Sequence, residues 1–119
     1  GWVADMAGLM TAADVLVENA GGLTAKEALL VGLPVVTFRP IAGHGRHDAG
    51  ALAQLGLTDL VDDEHSLRAT LTRLTEDTAL RAQRVQRGQA LFVGDAATLV
   101  TDLLQRQPPN PPGNSLLAV

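Results

Sequence analysis

Residues 14–38 read DVLVENAGGLTAKEALLVGLPVVTF, and this stretch decides the fold. Asp14-Val-Leu-Val-Glu18 is a compact apolar run that reads as a buried strand. Asn19-Ala-Gly-Gly22 breaks it. Thr24 to Val31 reads as a helix, with Gly32 where a C-terminal glycine belongs. Pro34-Val-Val-Thr-Phe38 reads as a second buried strand. Strand, tight glycine turn, helix and strand make a βαβ unit, whose two strands run parallel because a helical crossover joins them. The near-continuous apolar character of both runs suits a parallel sheet covered on both faces.

Outward from this unit the alternation continues. Asp5 to Ala13 reads as a brief helix before the first strand. After the second strand comes a loop, Arg39 to about His47, holding Pro40, Gly43 and Gly45. Ala49 to Leu55 reads as a helix stopping at Gly56, and Leu57 to Val61 as a short third strand. The second half reads as helix throughout. Asp62-Asp63 caps a helix through about Leu74, Glu76-Asp77 starts one to about Phe92, and Asp95 caps a third through Arg106. Leu67, Leu71 and Leu74 recur at helical spacing, as do Leu99, Val100, Leu103 and Leu104, and read as packing faces. Residues 107–119 open with four of the six prolines and read as a tail. No internal repeat is visible.

Composition narrows the function classes. The chain has 119 residues, room for one domain at most, with 46% hydrophobic and 18% charged residues, which excludes a disordered polar chain. Two Phe, one Trp and no Tyr argue against a stacking platform for single strands, and a net charge of −4 without a basic stripe argues against nucleic acid altogether. There is no cysteine, hence no disulfide, thiolate metal site or Cys nucleophile. No apolar run suits a membrane span, and no signal peptide is evident. The chain opens on Gly1, not Met, followed by apolar Trp2-Val3, and two or three parallel strands leave an edge and part of a face open. Both features lead us to expect the C-terminal part of a larger protein.

Three clusters can carry chemistry. The Gly21-Gly22 turn lies at the carboxyl end of a strand and opens a helix, where open α/β sheets bind ligands and unpaired N–H groups suit phosphate. It is neither GxGxxG nor a P-loop, and a tight turn without a ligand fits it equally well. Thr24-Ala-Lys-Glu27 fits a capping box, with Thr24 at the N-cap and Glu27 three residues on. Alternatively Glu27, one turn into the helix, accepts hydrogen bonds from ribose hydroxyls. Gly43-His-Gly-Arg-His-Asp48 lies on the loop after the second strand, at the same end of the sheet, and suits hydrogen bonding to a polyhydroxylated ligand. The plain alternative there is a solvated loop with Asp48 capping the next helix. His44 and His47 have no third ligand nearby, so a metal is not expected. His65 reads as surface.

Taken in order, Trp2-Val-Ala-Asp-Met6, Ala12-Ala-Asp-Val-Leu-Val17, Asn19-Ala-Gly-Gly-Leu-Thr-Ala-Lys-Glu-Ala28, Gly32-Leu-Pro-Val-Val36 and Arg39-Pro-Ile-Ala-Gly-His44 resemble family 28 glycosyltransferases, which are GT-B enzymes. The family includes the peptidoglycan N-acetylglucosaminyltransferase and the diacylglycerol glycosyltransferases, and Pro-Ile-Ala-Gly-His looks nearer to the latter. The resemblance covers residues 1 to about 60 well and the helical remainder loosely. It implies an α/β fold: a partial Rossmann-like C-terminal lobe of GT-B type, with two to three parallel strands followed by helices. Residues 1–106 would be the later half of the donor-binding domain.

The resemblance also implies roles. Trp2 and Val3 match the segment that meets uracil. Gly21, Gly22, Leu23 and Thr24 match the turn and helix start that hold the diphosphate, and Glu27 the ribose-binding glutamate, a role that can coexist with capping. His44, Gly45 and Asp48 match positions at the donor sugar. Relatives carry Gln at the first, an acidic or amide residue at the second and Asn at the third. The implied reaction is inverting, metal-independent transfer of a sugar from a UDP-sugar to a lipid-linked or glycolipid acceptor. No cofactor is implied beyond that substrate. The general base belongs to an N-terminal lobe that these residues do not include, so no catalytic residue is expected here and the 119 residues alone should not catalyse. The implied location is cytoplasmic or peripheral at the cytoplasmic membrane face.

Two other readings remain open. A non-hydrolysing UDP-N-acetylglucosamine 2-epimerase shares the Gly-Gly, Glu-Ala and Gly-x-Pro run, but its Arg-Pro-Glu is absent after Phe38. A non-catalytic α/β nucleotide-binding or interaction module would lack uracil selectivity.

Overall fold

The computed structural model describes residues 4–92. Helix α1 (Met6–Ala12) starts where the Asp5 carboxylate accepts the Gly8 N–H at 2.9 Å. Strand β1 (Leu16–Glu18), helix α2 (Leu23–Leu30) and strand β2 (Val35–Phe38) form the central βαβ unit. Helix α3 (His44–Gln54), strand β3 (Asp59–Val61), helix α4 (Glu64–Glu76) and helix α5 (Thr78–Ala90) complete the order. The sheet runs β1-β2-β3, all parallel, with Val17 opposite Val36 and Val36 opposite Asp59. The expected Rossmann-like α/β arrangement is therefore present, with three strands.

Helices α2 and α3, which lead into β2 and β3, end in the same way. The Leu33 N–H reaches the Ala28 carbonyl and the Gly32 N–H the Leu29 carbonyl, and Leu57 with Leu52 and Gly56 with Ala53 repeat the pattern after α3. These are Schellman closures, which satisfy the last carbonyls and turn the chain straight into β2 and β3. The strands are shorter than the apolar runs: β1 begins at Leu16 and β2 at Val35, because Pro34 has no N–H to pair and contributes only its carbonyl, to Leu16 N–H at 2.9 Å.

Coverage is uneven across the sheet. In central β2, Val35, Val36 and Thr37 are all buried, as a doubly covered strand requires. In β1, Val17 is 43% exposed, so the expected burial of this run on both faces is not met. Strand β1 is an edge among the described residues, where Leu16 packs against the core that α2 contributes to. The core joins α2 to the sheet through Ala25, Ala28, Leu29 and Val35, and reaches α3 at Leu52 and the end of α5 at Leu91, just past the helix.

Helices α4 and α5 start at Asp63 and Asp77, whose carboxylates accept the N–H groups of Ser66 and Leu80. Both starts match expectation, and Leu74 of the anticipated packing face is fully buried. His65 is exposed, as read. The Asp95–Arg106 helix with Leu99, Val100, Leu103 and Leu104, and the tail 107–119, lie outside the described residues. Among those described, no helix is long and apolar enough to cross a membrane.

Candidate functional site

Two helix N-termini meet at the carboxyl ends of the strands. Helix α2 opens at Gly22, with φ 68° and ψ −131°, and α3 opens at Gly43, with φ 95° and ψ −136°. Neither start has a side-chain cap. Both conformations belong to the positive-φ region that glycine adopts without strain. The helix α2 therefore begins at Leu23, and the expected capping box of Thr24 and Glu27 does not form. Likewise the expected loop to His47 ends early: His44 is the first residue of α3, and Asp48 lies in its second turn rather than capping it.

The two starts are held against each other. A Cβ on Gly21 would stand 2.6 Å from the Gly45 carbonyl oxygen, and one on Gly45 would stand 2.5 Å from the Ala20 carbonyl oxygen. Nothing larger than hydrogen fits at either position. Asp48 approaches the same turn, its Oδ2 3.4 Å from the place of a Gly22 Cβ. The first N–H accepted within α2 is that of Lys26, by the Gly22 carbonyl, and within α3 that of His47, by the Gly43 carbonyl. Among the described residues no group accepts the N–H groups of Leu23, Thr24, His44 or Gly45. Unpaired amides of two helices thus converge on one end of the sheet, with the positive ends of both dipoles, and this suits an anion such as a phosphate.

The structure accordingly brings together Gly21, Gly22, Gly45 and Asp48, with Leu23 and His44 next to them on the helix starts. Leu23 is 71% exposed, an apolar side chain standing free beside the amides. Thr24 is half-buried and His44 exposed. Glu27 is not in this group. It is exposed and borders a separate 220 Å³ hollow with Met6, Ala7, Met10, Leu30 and Val31, between α1 and α2. Trp2 and Val3 lie outside the described residues.

Three residues that sequence reasoning missed shape this end of the sheet. Glu18, the last residue of β1, accepts the N–H groups of Ala20 and Gly21 on Oε2, at 2.7 and 2.6 Å, and the Thr37 hydroxyl on Oε1 at 2.5 Å. Its only sequence signal is an acid closing an apolar strand just before a glycine pair. Thr37 gives no signal, because its partner is nineteen residues away. Arg39 follows β2 with φ 48°, a left-handed conformation that a non-glycine residue adopts at some cost in strain. It is held there by donating Nε–H to the Asp62 carbonyl at 3.0 Å, with its guanidinium 4.8 Å from the Phe38 ring centre. Glu18 and Arg39 border a 360 Å³ hollow with Val17, Asn19 and Phe38.

A hollow of 750 Å³ lies at the opposite end of the sheet, bordered by Asp14, Gly32, Pro34 and the Thr78–Ala90 side of α5. The first residue of α5, Thr78, borders it, but that helix start is capped by the Asp77 carboxylate, which accepts the Leu80 N–H. Ligands of open parallel sheets bind beyond the carboxyl ends of the strands, so the site is placed at Gly21–Gly45.

The fold is a Rossmann-like α/β domain with two helix starts that lack side-chain caps at the carboxyl end of its sheet. Comparison with known proteins adds a distant relation. The chain is 22% identical over 107 residues to the processive diacylglycerol beta-glucosyltransferase of Bacillus pumilus, covering 89% of this chain and 28% of that protein. It is 27% identical over 77 residues to the enzyme of the same name from Bacillus subtilis, covering 65% of this chain and 20% of that one. The chain thus spans less than a third of the length of the relatives it matches. No family model matches it, and no solved structure does.

Proposed function

We propose that this chain is the donor-binding part of an inverting, metal-independent glycosyltransferase that moves a sugar from a UDP-sugar to a lipid-linked or glycolipid acceptor. The observation that carries the reading is the convergence of the α2 and α3 N-termini across the Gly21–Gly45 contact. The relation to diacylglycerol glucosyltransferases supports a glycolipid as the product.

In this reading the diphosphate lies on the amides that begin α2, from Gly22 through Leu23 to Thr24. The donor sugar lies toward His44, Gly45 and Asp48 at the start of α3. The ligand extends from the turn along α2 toward α1, where Glu27, one turn into the helix, receives ribose, and Trp2 and Val3 receive uracil. An acceptor hydroxyl attacks the anomeric carbon from the face opposite the diphosphate. The anomeric C–O bond breaks as the new one forms, and the bonding pair leaves with UDP. Charge developing on the leaving phosphate is met by amides already pointing at it, so a metal ion is not required. The acceptor's proton goes to a base supplied by another part of the protein.

The test is sugar transfer by the full natural chain from a panel of radiolabelled UDP-sugars to diacylglycerol vesicles with excess EDTA. Labelled glycolipid with one preferred UDP-sugar is expected. No transfer from any UDP-sugar, or transfer abolished by EDTA and restored by Mg2+, contradicts the reading.

A further inference from the structure

We propose that Glu18 is the positioning residue of the donor site, fixing the turn whose amides receive the diphosphate; the inference rests on the donor-binding reading above. Its carboxylate joins the turn that follows β1 to the central strand β2. Oε2 takes both Ala20 and Gly21 N–H groups, and Oε1 takes the hydroxyl of Thr37, which is 1% exposed in the central strand. Charge-assisted bonds of this kind are about twice as strong as neutral ones.

Two consequences follow for a ligand. First, the Ala20 and Gly21 amides are already engaged by the protein's own carboxylate. An incoming phosphate therefore meets the amides from Gly22 onward, which fixes its position along the turn. Second, the Ala20 carbonyl is the atom against which Gly45 packs, at the 2.5 Å that a Cβ would meet. Holding Ala20 therefore also holds the α2 start in place against the α3 start. Without Glu18, the turn keeps the backbone bond from the Ile41 N–H to the Asn19 carbonyl but has no other side-chain hydrogen bond to β2 among the described residues, and the two sets of amides are held less closely in place.

A negative side chain beside a phosphate site also repels its ligand. Placement and repulsion give opposite signs on removal of the carboxylate, which makes the assignment testable. Glu18→Gln keeps an oxygen for the two amides, and its NH2 can donate to the Thr37 hydroxyl, so it removes the charge and retains the ties. Glu18→Ala removes both. Thr37→Val removes only the tie to β2 at nearly constant volume.

The experiment is calorimetric titration of UDP into the full natural chain and the three variants, each well below its own melting temperature. Misplacing binding groups by about 1 Å costs up to 100-fold, so Glu18→Ala is expected to weaken UDP binding by roughly tenfold or more. Glu18→Gln should stay within about threefold of the natural chain, and Thr37→Val should fall between them. If Glu18→Ala does not fold, Thr37→Val against Glu18→Gln carries the same comparison. Equal affinity in all folded variants, with only the melting temperature changed, would show a purely stabilising role and overturn the assignment. Tighter binding by Glu18→Ala overturns it as well, since repulsion would then dominate. If the natural chain itself binds no UDP, the donor-binding reading fails and the assignment falls with it, whereas UDP binding that Glu18→Ala leaves intact removes only the assignment.

Discussion

Gly21 and Gly45 touch backbone to backbone: a Cβ on the first would lie 2.6 Å from the carbonyl oxygen of the second. This contact sets two helix starts side by side at the carboxyl end of a parallel sheet. It also makes both glycines obligatory. Gly21→Ala adds a left-handed strain, at φ 65°, to the overlap, and Gly45→Ala meets the Ala20 carbonyl. Each should cost about 2 kcal/mol or more in urea unfolding. Gly50→Ala, in the same α3 helix with nothing within 4 Å of its Cβ, should instead stabilise by about 0.5–1 kcal/mol. Equal effects at Gly45 and Gly50 would contradict the packing described.

Asp48 places a carboxylate beside the Gly22 turn. With a diphosphate bound there, the two negative charges repel. Asp48→Asn should raise the affinity for UDP several-fold at low salt, and the gain should shrink above about 0.5 M salt as screening takes over. Titration at two ionic strengths checks this. A loss of affinity at both would mean that Asp48 instead accepts a hydrogen bond from the ligand.

Glu27 forms no cap and is exposed. Glu27→Gln should therefore change stability by no more than about 0.5 kcal/mol. If the carboxylate holds ribose, the same variant should lose roughly tenfold in UDP affinity, the cost of one charged hydrogen bond. Unchanged affinity would remove Glu27 from the site.

Asp59 anchors β3 to the helices. It pairs with Arg84 at 3.0 Å, where both side chains are about six-sevenths covered, and with the exposed Arg73 at 3.1 Å. Asp59→Ala strands the Arg84 charge and should cost about 3 kcal/mol. Arg73→Ala should cost under about 1 kcal/mol, as a surface pair does. Thermal unfolding of the two variants separates them.

Asp63 caps α4, and its hydrogen bonds from the Ser66 hydroxyl and N–H hold its carboxyl below the ordinary carboxylate range. A depressed folded-state pKa stabilises fully above the unfolded value and is lost as pH falls through the folded one. The melting-temperature difference between the natural chain and Asp63→Asn should thus be constant at neutral pH and shrink as the pH drops below about 4. A difference independent of pH would show that charge plays no part in the cap.

Much of this was legible in the sequence, and what was not has identifiable causes. The strand–glycine–helix–strand order came from apolar runs and C-terminal glycines, both local signals. The α2 and α3 starts differ from expectation because Gly22 and Gly43 cap by backbone conformation and carry no side-chain signal, so the search for capping side chains falls on Thr24 and Asp48, inside the helices. The shortness of β1 reflects pairing: a strand extends only where its neighbour offers groups, and Pro34 ends that supply. Glu18 escaped because its role depends on Thr37, which only the parallel register brings beside it.

The most direct test of the central claim is the choice between UDP and ADP by the full natural chain, titrated without metal. A donor site for a UDP-sugar predicts at least about tenfold preference for UDP, a difference of about 1.4 kcal/mol. Equal affinity for the two nucleotides, or no binding of either, would reduce the Gly21–Gly45 junction to a packing feature of the fold and contradict the account.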